Sequence, residues 1–577
     1  MKRFFSVLCT LLLCIPAFFA VMAETADDLF SDKDLTLADP SEAVDIVLTE
    51  GGVDITEPGV YRLSGQVADG SIRVAPATEG DVWLLLDGVS VHNEDGAALT
   101  SDGCDKLILT LAEGSVNSLT QGSATPTEED NDAAIYVRDD LTINGTGALT
   151  IESAWLDGIN CRDSLRIVSG DITVSAVDDG LVGKDEVTIG GGTITISAQT
   201  GDGIKATNAE DADRGFVAIA GGTLTITTGE GSASVSQTAS DSWGSRGGWE
   251  QQAEEDTPSQ KGVKAETTLT LSGGTLSIDS VDDALHAVDV TVSGGEMTLA
   301  TGDDGVHADN ALTVSGGTIT VTRSYEGLEG TDVTLSGGEI SITASDDGIN
   351  GAGGDSAASS DEGTFGASGR FGRDRFASST GTVRISGGVI SVSASGDGVD
   401  VNGDLEMTGG ELYVNGPESG GDGALDYDGS FTLTGGTVVA VGSAGMAQGV
   451  SDPSIPGTVM NASGSDVLEV LDSAGNVLIH FETLHAYSHA VLYSDRFTDG
   501  ETYTVTMGGN SQSVQMTTDS TGGMGFGGGR GGFGGGRRET PEAMPEGGSG
   551  ERPAREPGTA PESAPSEGES GSGEEKL

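Results

Sequence analysis

The sequence predicts an all-β protein built as a parallel β-helix, a solenoid with about 21–23 residues per coil. Three observations predict it. First, an acidic corner recurs at Asp157, Asp179, Asp202, Asp283, Asp304, Glu326, Asp347, Asp397 and Asp422. Neighbouring corners lie 21 to 25 residues apart except across two gaps of 81 and 50 residues, which read as turns carrying insertions. Lys261 fills the corner position in QKGVKA and divides the longer gap into 59 and 22. Second, a Gly-Gly corner keeps the same beat at 191–192, 221–222, 273–274, 294–295, 316–317, 337–338, 387–388, 409–410 and 435–436. Third, the runs between corners are short and β-branched, with no helical spacing. Leucine-rich repeats share the period but need Leu at fixed offsets, which this chain lacks.

Composition narrows the function. The chain of 577 residues carries 91 acidic against 27 basic side chains, a formal net charge of −64. Duplex binding runs on Lys and Arg neutralising phosphates, so no nucleic-acid partner is expected. Carboxylates in this number point to divalent cations, high solubility, or both. Glycine is abundant at 93 residues, but no strict Gly-X-Y period exists, so collagen is excluded.

Taken in order, the chain opens with MKRFFSVLCTLLLCIPAFFAVMAETA. Lys2 and Arg3, an apolar run and the small end at Ala23 read as a secretory signal peptide over 1–23. A secreted protein, extracellular or associated with the cell surface, is expected. No later segment holds the ~20 apolar residues of a membrane span, so no membrane insertion is expected after cleavage. The chain beyond it keeps Cys104 and Cys161, read as buried small residues and not as a disulfide scaffold. A monomer is expected.

Residues 24–43 are polar and read as loosely held. From Val44 the runs DIVLTEGGVDI, SIRVA, DVWLLLDGVSV and DKLILTLAEGSV read as strands, so 24–132 is expected to be an N-terminal cap and the first coils. The regular body spans 133–457, with Gly- and Ser-rich insertions near 228–260 and 351–380 that loop out. Trp243 and Trp249 lie in the first insertion; Phe365, Phe371 and Phe376, with Arg370, Arg373 and Arg375, lie in the second. Residues 458–518 lose the repeat and read as a small β module capping the far end. Residues 519–577 form a Gly-, Pro- and Glu-rich tail expected to be disordered.

Within one repeat, Asp304-Gly305-Val306-His307-Ala308, strand alternation turns Val306 inward and His307 outward. The inward column is then Ile204, Val263, Leu285, Val306, Leu328, Ile349 and Val399, all aliphatic. The outward column is varied: Asn160, Val182, Lys205, Lys264, His286, His307, Glu329, Asn350 and Asp400. Lys184, Lys205, Lys264, His286 and His307 on that surface are the candidate substrate-binding groups. In a lyase they would be candidate bases.

The acidic corners raise an electrostatic problem. Two carboxylates about 4.8 Å apart on adjacent strands repel by about 0.9 kcal/mol in water and ~3.5 kcal/mol at an effective dielectric of 20. Protonation, splayed and solvated side chains, or bridging cations relieve this. Asp-Gly alone is only a good turn dipeptide. Doubled Asp in register says more, and it makes Asp157, Asp178, Asp179, Asp202, Asp282, Asp283, Asp303 and Asp304 the candidate calcium ligands.

At this point the residues carry a likeness. The segments DVWLLLDGVSV, DKLILTLAEGSVNSLT, NDAAIYVRDDLTINGTGALTI, DGINCRDSLRIVSGDITVSAVDDGLVGKDEVTI and GDGIKATNAEDADRGFVAIAGGTLTI, with the late SHAVLYSDRFTDGETYTVTMGG, cover most of 45–510. This body resembles the secreted carbohydrate-binding β-helix family of Gram-positive bacteria, whose members are similar to pectate lyases in fold. The resemblance implies a right-handed, single-stranded parallel β-helix and bound calcium. It also implies binding of acidic plant polysaccharide such as polygalacturonate, with cellulose as a further ligand. It carries the calcium role onto Asp157, Asp178, Asp179 and Asp202.

A non-catalytic binder is therefore the expected function. The alternatives are a calcium-stabilised cell-surface stalk or adhesin, and a polysaccharide lyase acting on uronate polymers. A lyase needs calcium and a base for the C5 proton, yet the regular coils hold few Arg. Asn-Thr-Asp, Gly-His-Gly and Arg-X-Lys motifs are absent from the sequence.

Overall fold

A computed structural model describes residues 29–125, 132–236, 259–352 and 381–519. The signal peptide, the aromatic and arginine residues of both insertions, and the tail from residue 520 lie outside the described residues.

The described chain is all-β, and 41 of its strands join one hydrogen-bonded sheet. Nearly every partner of a strand lies one repeat earlier or later and runs parallel to it. Three ladders result. One passes through Leu107, Leu141, Leu165, Val187, Val217, Leu269, Val290, Leu312, Val333, Val383, Leu405 and Phe431, each opposite the next. A second passes through Leu149, Ile172, Ile194, Leu224, Leu276, Met297, Ile319, Ile340, Ile390, Leu412 and Val438. The third follows the acidic corner through Leu99, Ile135, Ile159, Leu181, Ile204, Val263, Leu285, Val306, Leu328, Ile349 and Val399.

These residues are buried and form a single apolar stack. Burying each Val, Leu or Ile is worth about 1.5–3 kcal/mol, and β-branched side chains suit a pleated, half-buried surface. The alternate positions face away from the core. Asp171–Ala176 and Thr193–Ala198 both alternate exposed and buried residue by residue, and Thr173, Thr195 and Thr225 stand in register on the exposed side.

The Gly-Gly corner is explained by two different constraints. Gly295 has φ +89°, a conformation that favours glycine. Its neighbour Gly294 has no room: an added Cβ would lie 2.4 Å from the Ser272 carbonyl oxygen.

The start of the chain departs from expectation. Residues 24–43 read as loosely held, but a short helix, Asp32–Leu35, is docked on the first ladder. Ser31 caps it and Asp34 closes a capping box. Asp34 is buried, receives Lys106 Nζ at 2.6 Å and accepts from Thr142 Oγ1 at 2.5 Å. Asn144 Nδ2 donates to the carbonyls of Asp34 and Thr36. Phe30 and Ala38 are buried beside it. Polarity misled here because the anchoring is ionic and comes from strands over seventy residues away.

At the other end, Tyr487–Ser494 pairs antiparallel with both Thr437–Gly442 and Gly457–Gly464. A separate four-stranded antiparallel sheet follows, with Val467–Leu471 between Val477–Glu482 and Thr502–Met507, and Asn510–Gln515 at its edge. Its core includes Val439 and Val441, outward positions held by Tyr413 and Asn415 one repeat earlier and by Ser391 and Ser393 two repeats earlier. Cys104 and Cys161 are both free and buried. Among the described residues, no helix is long and apolar enough to cross a membrane.

Candidate functional site

The acidic corner is built by backbone crowding and then used by its side chain. The position after the corner acid is crowded: at Gly180 an added Cβ would meet Ile196 Cγ2 at 2.4 Å and the Gly203 carbonyl at 2.5 Å, and only after Asp283 does a side chain, the methyl of buried Ala284, stand there. With a small residue in place, the corner acid accepts the corner N–H of the next repeat. Asp179 N–H donates to Asp157 Oδ1 at 3.1 Å, Asp202 N–H to Asp179 at 2.7 Å, and Lys261 N–H to Asp202 at 2.8 Å. The pattern continues from Asp304 to Asp283, Glu326 to Asp304 and Asp397 to Asp347; in the last repeat the donor to Asp397 is Gly423, one residue past the expected corner Asp422, as the Asp400–Asp426 register requires. One oxygen of each capping acid is therefore engaged in the architecture.

The outward column follows the predicted register. Asn160, Val182, Lys205, Lys264, His286, His307, Glu329, Asn350 and Asp400 stand opposite one another in sequence. Its side chains bend towards the corner. Lys205 Nζ lies 3.0 Å from Asp179 and 3.2 Å from Asp202. Lys261 Nζ lies 2.5 Å from Asp283 and 3.0 Å from Asp282. His286 Nδ1 lies 3.1 Å from Asp283, and His307 Nδ1 3.3 Å from Asp304. The two imidazoles meet edge to face at 4.9 Å.

The candidate cation ligands and the candidate substrate groups thus meet in the middle of the column. Lys205 and His307 are counter-ions of the corner acids there, and His286 is hydrogen-bonded to Asp283. Lys264 instead pairs with Glu266 at 3.4 Å, and Lys184 is exposed beside the column. Asp303 is exposed while Asp283 and Asp304 are buried.

Protonation equilibria follow these contacts. Burial alone would lower Lys205 and Lys261, but the facing carboxylates raise both. Burial likewise opposes the charge on His307, yet Asp304, Asp283 and Glu329 raise it to about 9. Burial would raise Asp283, and His286, Lys261 and His307 hold it below the usual carboxylate range.

The ends of the column differ. Asp157, Asp178 and Asp179 bring oxygens within 4.8 Å of one another. Burial, then the Asp179 charge, pushes Asp157 up to about 8. Asn160 donates to Asp157 Oδ2 at 2.8 Å, and its buried Oδ1 has no hydrogen-bond donor. At the far end Asp347, Asp397 and Asp400 form a second such group. Glu326 and Glu329 lie between, pushed to about 9 and about 8 by burial and by Asp304 among their neighbours.

Sequence reasoning placed Asn160, Glu326, Glu329 and the Asp347 group on the corner or column but not among the candidate site residues. The signal that finds the asparagines is an acid three residues before an Asn, at Asp157-Gly-Ile-Asn160 and Asp347-Gly-Ile-Asn350. Elsewhere a polar cleft of about 480 Å³ is lined by His92, Thr120, Gln121, Glu152, Ser175 and Gln199 among others.

Comparison with known proteins adds the family. A model described as "Carbohydrate-binding domain-containing protein" matches residues 49–305 and 303–451. A protein of Acetivibrio thermocellus with the same description is 37% identical over 149 residues, 25% of this chain and 51% of that protein. The aligned stretch spans about half the length of that curated relative. A solved structure, titled as the gadolinium derivative of a polysaccharide lyase-like protein from C. thermocellum, aligns at 28% identity over 47% of this chain and 96% of that one, with a TM-score of 0.35. The family model covers well over half of the sequence, and the chain belongs to the family of carbohydrate-binding domain-containing proteins.

Proposed function

We propose that the three ladders are the faces of a right-handed parallel β-helix, and that the protein is a secreted, non-catalytic binder of acidic plant polysaccharide such as polygalacturonate. Binding depends on calcium held along the acidic corner. The family supports a polysaccharide as the partner. The acidic class of that polysaccharide rests on the charge chemistry of the corner.

One observation carries the calcium reading. Asn160 Oδ1 is a buried oxygen with no donor, on a side chain whose Nδ2 bonds Asp157, and Asp157 groups with Asp178 and Asp179. A buried acceptor left without a partner costs about 1–3 kcal/mol. A hard cation removes that cost, and a mixed set of carboxylate and amide oxygens suits calcium. Asp157, Asp178 and Asp179 would hold it, with Asn160 as the neutral ligand. When bound, the ion supplies positive charge that a uronate carboxylate can share.

The chain's own residues then do the rest. Lys205 neutralises Asp179 and Asp202 and lowers the local negative potential facing an incoming anion. Exposed Lys184, two residues beyond the column position Val182, would meet a uronate carboxylate directly. His286 and His307 are tied to carboxylates on Nδ1, and this argues for positioning over proton abstraction.

The test is a binding isotherm of the full chain against polygalacturonate, with calcium and with chelator. Saturable binding only with calcium is expected. A flat isotherm in calcium would sink the reading. Appearance of unsaturated products, read by ultraviolet absorbance at neutral to alkaline pH, would replace binder with lyase.

A further inference from the structure

The cations of this acidic chain are mostly paired with its own carboxylates. Lys205 and Lys261 face corner acids, and Lys106 and Arg166 on the first ladder face Asp34 and Glu186. One place departs from this. Immediately after the third-ladder strands Ala133–Val137, Asp157–Cys161 and Leu181–Gly183 stand Arg138, Arg162 and Lys184. All three are exposed. Arg162 and Lys184 take part in no ion pair among the described residues.

The backbone holds them in a row. The N–H of Arg138 donates to the Ser101 carbonyl at 2.9 Å, that of Arg162 to Val137 at 2.7 Å and that of Lys184 to Cys161 at 2.9 Å. Three successive repeats therefore carry a cation in register, about 4.8 Å apart. The row ends sharply on both sides. The matching position is Asp102 in the repeat before, and Thr207 and Glu266 in the two repeats after. The Arg138 guanidinium lies 5.8 Å over the ring of Tyr136, itself a column position.

Each cation is followed by an aspartate, and each aspartate is engaged with other groups. Asp139 accepts from Ser101 Oγ at 2.7 Å, from the Gly103 N–H at 3.0 Å and from Cys104 Sγ at 3.1 Å. Asp185 accepts from Asn208 Nδ2 at 2.8 Å and is paired with Arg214. Burial, and then the charge of Asp140, raises the carboxyl of Asp163. The adjacent acids thus leave Arg162 and Lys184 uncompensated.

A net charge of −64 repels anions from most of this molecule. Screening confines that repulsion to about 8 Å at physiological ionic strength, so a local row of cations can hold an anion that the whole chain repels. Cations stacked at strand spacing also repel one another, and a polyanion laid along them relieves this. Arginine's planar fork matches a carboxylate through two parallel hydrogen bonds. The row runs in the direction in which repeats succeed one another, so a linear ligand with regularly spaced carboxylates suits it. The family supports a polysaccharide in that place over a nucleic acid.

We propose that Arg138, Arg162 and Lys184 form a contact strip for a run of free uronate carboxylates, with the polysaccharide chain lying across three successive repeats. The strip rests on the binding of acidic polysaccharide proposed for this protein. It adds Arg138 and Arg162 to Lys184 as contacts and makes binding selective for unesterified uronate.

Binding isotherms of the full chain in calcium, against polygalacturonate, its methyl ester and inorganic polyphosphate, test the strip. Arg162→Gln should weaken polygalacturonate binding severalfold. The double variant Arg162→Gln, Lys184→Gln should weaken it roughly tenfold or more, with a shallower dependence on salt. Arg162→Lys keeps the charge but loses the fork, and should fall between Arg162→Gln and the parent. Both side chains are exposed, so an unchanged Tm in each variant separates a lost contact from a lost fold. The methyl ester should bind the parent more weakly than the free acid and be indifferent to the substitutions. A double variant that binds polygalacturonate as the parent does overturns the strip alone and leaves the glycan reading standing. No polygalacturonate binding by the parent overturns both. Polyphosphate held as tightly as polygalacturonate, and released by the same substitutions, overturns the assignment to uronate in favour of any polyanion.

Discussion

Asp283 accepts the backbone N–H of Asp304, one repeat on, at 3.1 Å, and the same carboxylate receives Lys261 and His286 on its other oxygen. A single buried side chain therefore joins the backbone of one repeat to Lys261 of the corner and His286 of the column. Asp283→Ala should cost about 3–5 kcal/mol, because it strands Lys261 and orphans the Asp304 amide. Asp283→Asn keeps an acceptor for the amide and should cost less. Urea unfolding of the two variants measures the difference. Equal costs would mean that the cations alone matter.

The Gly-Gly corner predicts a steric cost independent of charge. At Gly294 a Cβ would sit 2.4 Å from the Ser272 carbonyl, and that oxygen belongs to backbone held in a ladder. Gly294→Ala should therefore destabilise by about 2–3 kcal/mol. Gly475, with φ +86° and nothing within 4 Å of an added Cβ, is the control. Gly475→Ala should cost only the backbone term of roughly 1–2 kcal/mol. Matching thermal melts for both would refute close approach as the reason for the first glycine.

These contrasts show what the sequence could and could not reveal. Period and alternation are properties of neighbouring residues, so the aliphatic stacks and the order from Asn160 to Asp400 were legible before any coordinates. Reach is not. Parity placed Lys205 outward, and its long side chain folds back to 3.0 Å from Asp179, a pairing that strand alternation does not encode. Asp347, Asp397 and Asp400 were read as corner and column positions but not as candidate ligands, because the segment 353–380 separates their repeats, although Asp346-Asp347 is doubled like the acids that were chosen. The Asp32–Leu35 helix has no periodic signal at all; it is placed by Lys106 and Thr142, far along the chain.

That helix gives a pH prediction. Burial alone would raise the Asp34 carboxyl. The hydrogen bonds from Lys106, Ser31 and Thr142 outweigh it and pull the group from 3.8 down to about 2. A depressed carboxyl stabilises the fold above its unfolded value, and the contribution is lost as pH falls through the folded value. The docking of residues 30–38 should hold from neutral pH down to about pH 4 and weaken by about 2 kcal/mol by pH 2. Hydrogen exchange of the amides around Asp34 between pH 4 and pH 2 reads this out, corrected for intrinsic exchange. Asp34→Ala should abolish the protection at every pH, by leaving Lys106 buried without its partner.

Lys205 and Lys184 separate the structural cation from the glycan contact. Lys205 is partly buried between Asp179 and Asp202, and Asp202 is fully buried. Lys205→Met keeps the aliphatic stem but removes the charge, leaving two facing carboxylates uncompensated. It should destabilise the metal-free protein by about 3 kcal/mol, and calcium should restore part of that loss by taking the place of the ammonium. Lys184 is exposed, so Lys184→Met should change stability by no more than about 0.5 kcal/mol. It should nonetheless weaken polygalacturonate binding severalfold, through loss of a charge that meets the uronate. Chemical denaturation in calcium and in chelator, set beside the binding isotherms, gives four numbers for the pair. A glycan defect in Lys205→Met that calcium cannot repair, with none in Lys184→Met, would move the contact surface from the exposed flank to the column itself.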